Sequence, residues 1–325
     1  MTKKTPSMLE MVNNYVEHKR GLGYKLGTES YMLRSFARHA DRQAPGQPLT
    51  TQLALEWATA PESDGRTYHA KRLDALRSFA RYLAAFQPGT EIPPGGILGP
   101  SLSRVEPHIY TREEVAALMR EAMNVKPSTP AARTNSIRNA TVIGLLACTG
   151  MRIGEVLALK NEDVDLATGV ITVRESKKLP MRLVPITDCA VRQLRRYQQE
   201  RDRRFGSPSP SGAFIQSSWN GRLTYGSFFA AFKIIRERAG VKRSNVPNRP
   251  PRLHDLRHTF ACNHLLRAYR EGRDIDNAVH ELAVYLGHAT LKSTYWYLTG
   301  VPALFEQCAK RFEAQAARDV KGGRT

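Results

Sequence analysis

Cysteine is scarce in this chain of 325 residues: Cys148, Cys189, Cys262 and Cys308 lie far apart and form no CxxC pair. That pattern argues for a reducing compartment and against a disulfide framework or a structural zinc site. Long apolar runs are missing as well. The longest candidate, Ala140 to Met151, is interrupted by Gly144, Thr149 and Gly150. It falls short of the roughly 18 residues that span a bilayer and reads as a buried core helix. The first residues, Met1-Thr-Lys-Lys-Thr-Pro, lack the apolar h-region of a secretory leader, so a cytoplasmic location is expected. There is no Walker-type Gly-rich loop, no cluster of Asp and Glu and no internal repeat. The usual signs of ATP use and of carboxylate-held metal are therefore absent.

Acidic side chains are also in deficit. Forty-nine Lys and Arg stand against 30 Asp and Glu, giving a net charge of +19 and a pI near 10.1. An excess of that size points to a polyanionic partner, most simply nucleic acid, with a ribosome-associated or membrane-surface protein as the blander readings. The excess is uneven. Residues 1–107 hold 14 basic and 10 acidic side chains and the remainder 35 and 20, so the C-terminal part supplies most of the electrostatic grip.

The apolar periodicity predicts four helices in the first hundred residues. They cover Met8–Gly21, Glu29–Asp41 with Leu33, Phe36 and Ala37 on one face, Thr51–Thr59, and Thr67–Phe86. The fourth aligns Leu73, Leu76, Phe79, Ala80 and Leu83, and Lys71, Arg72, Arg77 and Arg81 fall elsewhere on it. Those four basic residues are candidate DNA contacts, or simply a solvated surface. Residues 88–107 are rich in Pro and Gly and read as linker. We take 1–100 as one helical domain, 101–110 as the junction and 111–325 as a second domain. Thr111 and Glu114 have capping-box spacing at a helix start. A buried helix is expected from Ser136 to Cys148. Val170-Ile-Thr-Val and Leu183-Val-Pro-Ile read as a β-hairpin, and Phe205–Gly226 as a loop around a short Phe214-Ile215 strand. Helices return from His254. The fold class expected is mainly α with a small antiparallel β-sheet.

Several residues in the second domain suit a phosphate. Arg152 follows a Gly-terminated helix, and its planar guanidinium matches two phosphate oxygens. Glu155, three residues on, could buttress Arg152 or cap the helix. Lys177 lies in the hairpin turn, where a Lys can protonate a leaving oxygen, with Lys178 as its rival. His254 and Arg257 are three apart on an expected helix and face the same way. His254 and His258 have the spacing of zinc ligands, but no Glu general base or third ligand accompanies them. His288 precedes a Tyr295-Trp296-Tyr297 cluster, and a tyrosine hydroxyl attacks phosphorus only when aligned on a neutralised target.

Gly-Met-Arg-Ile-Gly-Glu at 150–155, His-Asp-Leu-Arg-His-Thr-Phe-Ala at 254–261, and Leu-Gly-His followed nine residues after the His by Tyr297 together resemble the signatures of the tyrosine recombinases, the phage-integrase family. The similarity runs in order over roughly 108–300. It implies an N-terminal helical core-binding (SAM-like) domain and an α+β catalytic domain. It further implies catalytic roles for Arg152, Lys177, His254, Arg257, His288 and Tyr297, with Glu155 in support. In that scheme Tyr297 attacks the scissile phosphorus, Arg152, Arg257 and His288 stabilise its oxygens, Lys177 protonates the 5′-oxygen, and His254 moves a proton at the tyrosine. The bond energy stays in a 3′-phosphotyrosyl link, so no cofactor and no metal is expected. The implied partners are double-stranded DNA with paired recombination sites, a homo-tetramer on DNA and accessory recombinases, in association with the nucleoid. Within 302–325, Leu304, Cys308, Phe312 and Ala316 recur every four residues, suiting a segment exchanged between neighbours. A type IB topoisomerase or a non-catalytic DNA-binding regulator are the alternatives.

Overall fold

The computed structural model describes residues 6–60, 65–101, 106–124, 130–174, 181–217, 221–242, 249–288, 290–291 and 294–295, the side chains of 130 and 131 aside. The chain divides into two compact units, Met1–Val105 and Glu106–Thr325.

The first unit is helical. α1 (Met8–Gly21) starts at a capping box in which the Ser7 backbone N–H donates to Glu10 and the Glu10 N–H to the Ser7 hydroxyl. α2 (Gly27–Gln43), α3 (Thr51–Thr59) and α4 (Arg66–Ala84) follow. The stripes expected from periodicity meet in one core: Leu33, Phe36 and Ala37 join Leu73, Leu76, Phe79, Ala80 and Leu83 around Val12 and Trp57. The four basic residues of α4 have different surroundings. Lys71 and Arg81 are exposed. Arg77 donates to the Pro93 carbonyl at 2.9 Å. Arg72 is 8% exposed, lies 4.0 Å over the Trp57 ring and donates to the Trp57 carbonyl at 2.6 Å.

The second unit is α+β. α5 (Arg112–Met123) opens on the Thr111–Glu114 capping box, and α6 (Pro130–Thr149) is the central helix. α7 (Ile153–Ala158) leads to a three-stranded antiparallel sheet, β1 (Val164–Asp165), β2 (Val170–Val173) and β3 (Arg182–Pro185), in that spatial order. Val173 pairs with Arg182 and Val170 with Pro185. α8 (Asp188–Phe205), α9 (Tyr225–Arg238), α10 (Leu253–Arg270) and α11 (Ile275–Leu286) complete the described residues. None of their helices is long and apolar enough to cross a membrane.

Two sequence expectations need correction. Phe214-Ile215 is not a strand. Both side chains are buried, but the backbone bonds singly to separate segments, Phe214 N–H to the Leu159 carbonyl and Leu223 N–H to that of Ile215. Only the single bridges Lys160–Ala213 and Gln216–Arg222 form nearby, because the pair plugs the core from a loop. The sheet also has a third strand, β1, and α8 and α9 are elements that the sequence pattern does not single out. α8 buries Val191, Leu194 and Tyr197 but also Glu200 and Arg201, so its apolar stripe is interrupted by charge.

The Arg72 contacts yield a test. Arg72→Ala leaves the Trp57 carbonyl without its donor and should lower stability by about 2 kcal/mol. Lys71→Ala and Arg81→Ala, on exposed side chains, should stay within about 0.5 kcal/mol. Urea denaturation of the three variants compares them directly.

Candidate active site

Two glycine-terminated helices build the site. Gly150 follows α6 with φ +60°, and Gly287 closes α11 with φ +64°, the left-handed stop that glycine allows. A Cβ on Gly150 would meet Phe260 Cδ1 at 2.6 Å, and one on Gly287 would meet Arg182 Nη1 at 3.0 Å. Helix C-termini leave carbonyls without intrahelical donors and carry partial negative charge. Arg257, on α10 and only 2% exposed, answers both ends. Its Nη1 donates to the Gly150 carbonyl at 2.7 Å and its Nη2 to that of Leu286 at 2.8 Å.

α10 is itself fixed at its start. Asp255 accepts from the Arg252 backbone at 2.9 Å and from its Nη2 at 2.7 Å. Tyr110 donates its backbone N–H to the Thr259 hydroxyl and its own hydroxyl to the Arg252 carbonyl.

Arg152 sits at the N-cap of α7. Its backbone N–H and Nη1 both donate to Glu155, each at 2.9 Å, and Nη2 reaches the Gly287 carbonyl at 3.2 Å. Both readings of Glu155 hold, since it caps the helix and buttresses Arg152. The Arg152 side chain is 36% exposed and that of Glu155 5%. Burial alone would raise the Glu155 carboxyl, but hydrogen bonds from Arg182 and Arg152 outweigh it and hold the group below the usual carboxylate range.

The histidines are kept neutral. Burial, then the nearby Arg257, lowers His254. Burial with the Arg257 and Arg152 charges takes His288 down to about 4. Burial, with His254 beside it, takes His258 to about 3; the His254 and His258 rings meet edge-on at 4.8 Å. His288 Nδ1 pairs with the Thr294 hydroxyl at 2.6 Å.

The structure thus brings Arg152, Glu155, His254, Arg257 and His288 into one neighbourhood. Lys177 with Lys178, and Tyr297 with Trp296, lie outside the described residues. Tyr295, the other tyrosine of the cluster, donates to Asp276 Oδ1 at 3.2 Å. That hydrogen bond to a carboxylate raises its pKa, the wrong direction for a nucleophile. Arg182, which the sequence offers only as the start of a strand, proves to be part of the site. Nothing local in the chain foretells its bond to Glu155, 27 residues earlier. Among the described residues no group of three or more His, Cys, Asp or Glu could hold a metal ion. Chemically, two guanidinium groups beside imidazoles of low proton affinity are of the kind that can receive an anionic oxygen.

Comparison with known proteins places the chain in a family. The phage integrase family model matches residues 109–301. A Sinorhizobium fredii protein, y4rB, named as a candidate integrase/recombinase, is 36% identical across 94% of this chain and 96% of its own. Tyrosine recombinase XerD of Chlorobaculum tepidum is 30% identical over 70% of this chain and 69% of its own. Among solved structures, XerH bound to its palindromic difH substrate shares the fold with a TM-score of 0.67 at 18% identity, covering 94% of this chain and 85% of that one. A lambda integrase tetramer bound to a Holliday junction gives 0.62 at 17% identity, covering 91% and 78%.

The histidine environment sets a pH dependence. Histidines of the unfolded chain take up protons near 6.5, whereas His288 and His258 in the folded chain resist until about 4 and about 3. The unfolded state therefore binds more protons across that window, and stability present above pH 6.5 is lost as the pH falls through it. Urea midpoints should drop across the window, and the drop should be shallower in His258→Gln. A profile with the same slope in both proteins contradicts the assignment.

Proposed function

The chain belongs to the phage integrase family and is a site-specific tyrosine recombinase, and on that premise we propose that it cuts and rejoins DNA through a 3′-phosphotyrosyl intermediate. Tyr297 attacks the scissile phosphorus, its hydroxyl proton passing towards His254. The P–O bond to the 5′-oxygen breaks, and Lys177 protonates that oxygen to leave a free 5′-hydroxyl. Arg152, Arg257 and His288 offset the charge that builds on the non-bridging oxygens, the larger electrostatic share of the work. Attack by the 5′-hydroxyl of a second strand reverses the step and releases the tyrosine.

The observation that carries this reading is that Arg257 bonds the Gly150 and Leu286 carbonyls and Arg152 the adjacent Gly287 carbonyl, beside His254 and His288, whose burial and cationic neighbours lower their proton affinity. A neutral imidazole can accept the tyrosine proton, whereas a charged one cannot. The engagement of Tyr295 with Asp276 favours Tyr297 as the nucleophile. Paired DNA sites, a homo-tetrameric synapse and exchange of the segment 302–325 between neighbours belong to the same proposal. They draw on the DNA-bound XerH and the tetrameric lambda integrase.

Nicked suicide duplexes carrying the site that the protein selects from random double-stranded DNA provide the test. Cleavage next to the nick loses the short 5′-hydroxyl fragment, so the covalent adduct accumulates. The adduct should form in EDTA, persist in Tyr295→Phe and vanish in Tyr297→Phe; the opposite result for the two tyrosines removes the nucleophile assignment. Deleting the residues after Pro302 should leave binding to single DNA sites intact and lower strand exchange. Exchange at the full-length rate would exclude a role for the segment between neighbours.

A further inference from the structure

We propose that Arg182 is a positioning residue for Arg152, and that it works by taking up the charge of Glu155. This inference rests on the phosphate role given to Arg152 above. Arg182 opens β3, paired in register with Val173, and its side chain is 10% exposed. Its Nη2 lies 2.7 Å from Glu155 Oε2 and its Nη1 3.3 Å from Oε1, a two-pronged grip of the kind that favours arginine over lysine. Its Nε donates to the Tyr285 carbonyl at 2.9 Å. The same carboxylate receives the backbone N–H and Nη1 of Arg152.

Two guanidinium groups therefore share one buried carboxylate. With Arg182 in place, Glu155 is neutralised from its inner side and the trio keeps one net positive charge, carried on the more exposed Arg152. Without Arg182, Arg152 and Glu155 become a closed ion pair of zero net charge, and the pull on a phosphate oxygen falls. Geometry adds to charge. The Arg182 guanidinium packs under the turn at Gly287, where a Cβ would come within 3.0 Å of Nη1. Arg182 thus joins the strand that follows the lysine hairpin, the Arg152 cap, and the turn that leads into His288.

Single-turnover adduct formation on the nicked duplexes, at saturating protein, reads this role, with retention of the same duplex in a gel measured alongside. Wild-type protein should form the adduct; its failure to do so overturns the chemistry proposed for the site and not merely the part given to Arg182. Arg182→Gln should slow adduct formation by about tenfold or more while DNA retention changes by less than about threefold. Glu155→Gln/Arg182→Gln should be faster than Arg182→Gln alone, because no carboxylate remains to cancel Arg152. A purely structural staple predicts a double variant at least as slow as the single one, and that outcome, or a wild-type rate in Arg182→Gln, overturns the proposal. If Arg182→Gln does not fold, Arg182→Lys decides. It keeps the charge and loses the fork, so a wild-type rate, or a slowed rate that Glu155→Gln restores in the double variant, supports the charge role, and a slowed rate that Glu155→Gln does not restore overturns it.

Discussion

The site depends on one buried guanidinium bonded to the ends of two helices. Arg257 donates to the carbonyls of Gly150 and Leu286, groups that α6 and α11 leave without helical donors. A buried cation is tolerated only where such acceptors surround it, and a helix C-terminus supplies them with a favourable dipole. The consequence is positional. Arg152 follows Gly150 by two residues and His288 follows Leu286 by two, so one side chain sets the separation of two others. Glycine at 150 and 287 completes the arrangement, since each chain reversal is left-handed and closely packed.

That packing also decides the protonation of the site. Arg152, Arg182 and Arg257 converge on a region balanced chiefly by Glu155 and Asp255, and burial together with these charges makes the histidines among them give up their protons at a lower pH than they would in isolation. A phosphate diester entering this field offsets the repulsion from the guanidinium groups, so its arrival raises the proton affinity of His254 and His288. In the proposed function, substrate binding and proton uptake are therefore linked. In the proposed chemistry an imidazole left neutral by the free protein becomes a better base once the phosphate has bound.

What the sequence makes legible are the features governed by neighbours a few residues apart. The Thr111–Glu114 capping box, the stripe from Leu73 to Leu83 and the alternation of Val170-Ile-Thr-Val each follow from a local period, and each is found. The set Arg152, His254, Arg257 and His288 comes from resemblance to a family rather than from any local period, and Glu155, which spacing leaves between two readings, both caps α7 and bonds Arg152. The failures share a different cause. Phe214 and Ile215 have the composition of a strand, but their backbone partners are fixed by a distant loop. α8 carries too many charges for its stripe to stand out, and two of those charges, Glu200 and Arg201, turn out to be buried. Arg182 joins Glu155 across a gap that no sequence period encodes. Lys177 and Tyr297 still rest on motif spacing and resemblance.

The fate of the arginines qualifies the argument from net charge. Arg72, Arg138, Arg201, Arg236 and Arg257 are all buried, and each donates to backbone carbonyls inside its own unit. Arginine suits that duty because its planar fork satisfies several carbonyls at once and it stays charged when desolvated. A count of basic residues therefore adds two populations, internal staples and surface cations, and overstates the field available to DNA. Arg152 belongs to both: it is anchored inside by Glu155 and the Gly287 carbonyl, yet more open to solvent than Arg182 or Arg257. In the proposed chemistry a group that grips a phosphate and holds it still needs both properties, and exposure combined with internal anchoring, rather than charge alone, distinguishes Arg152 from Arg182 and Arg257.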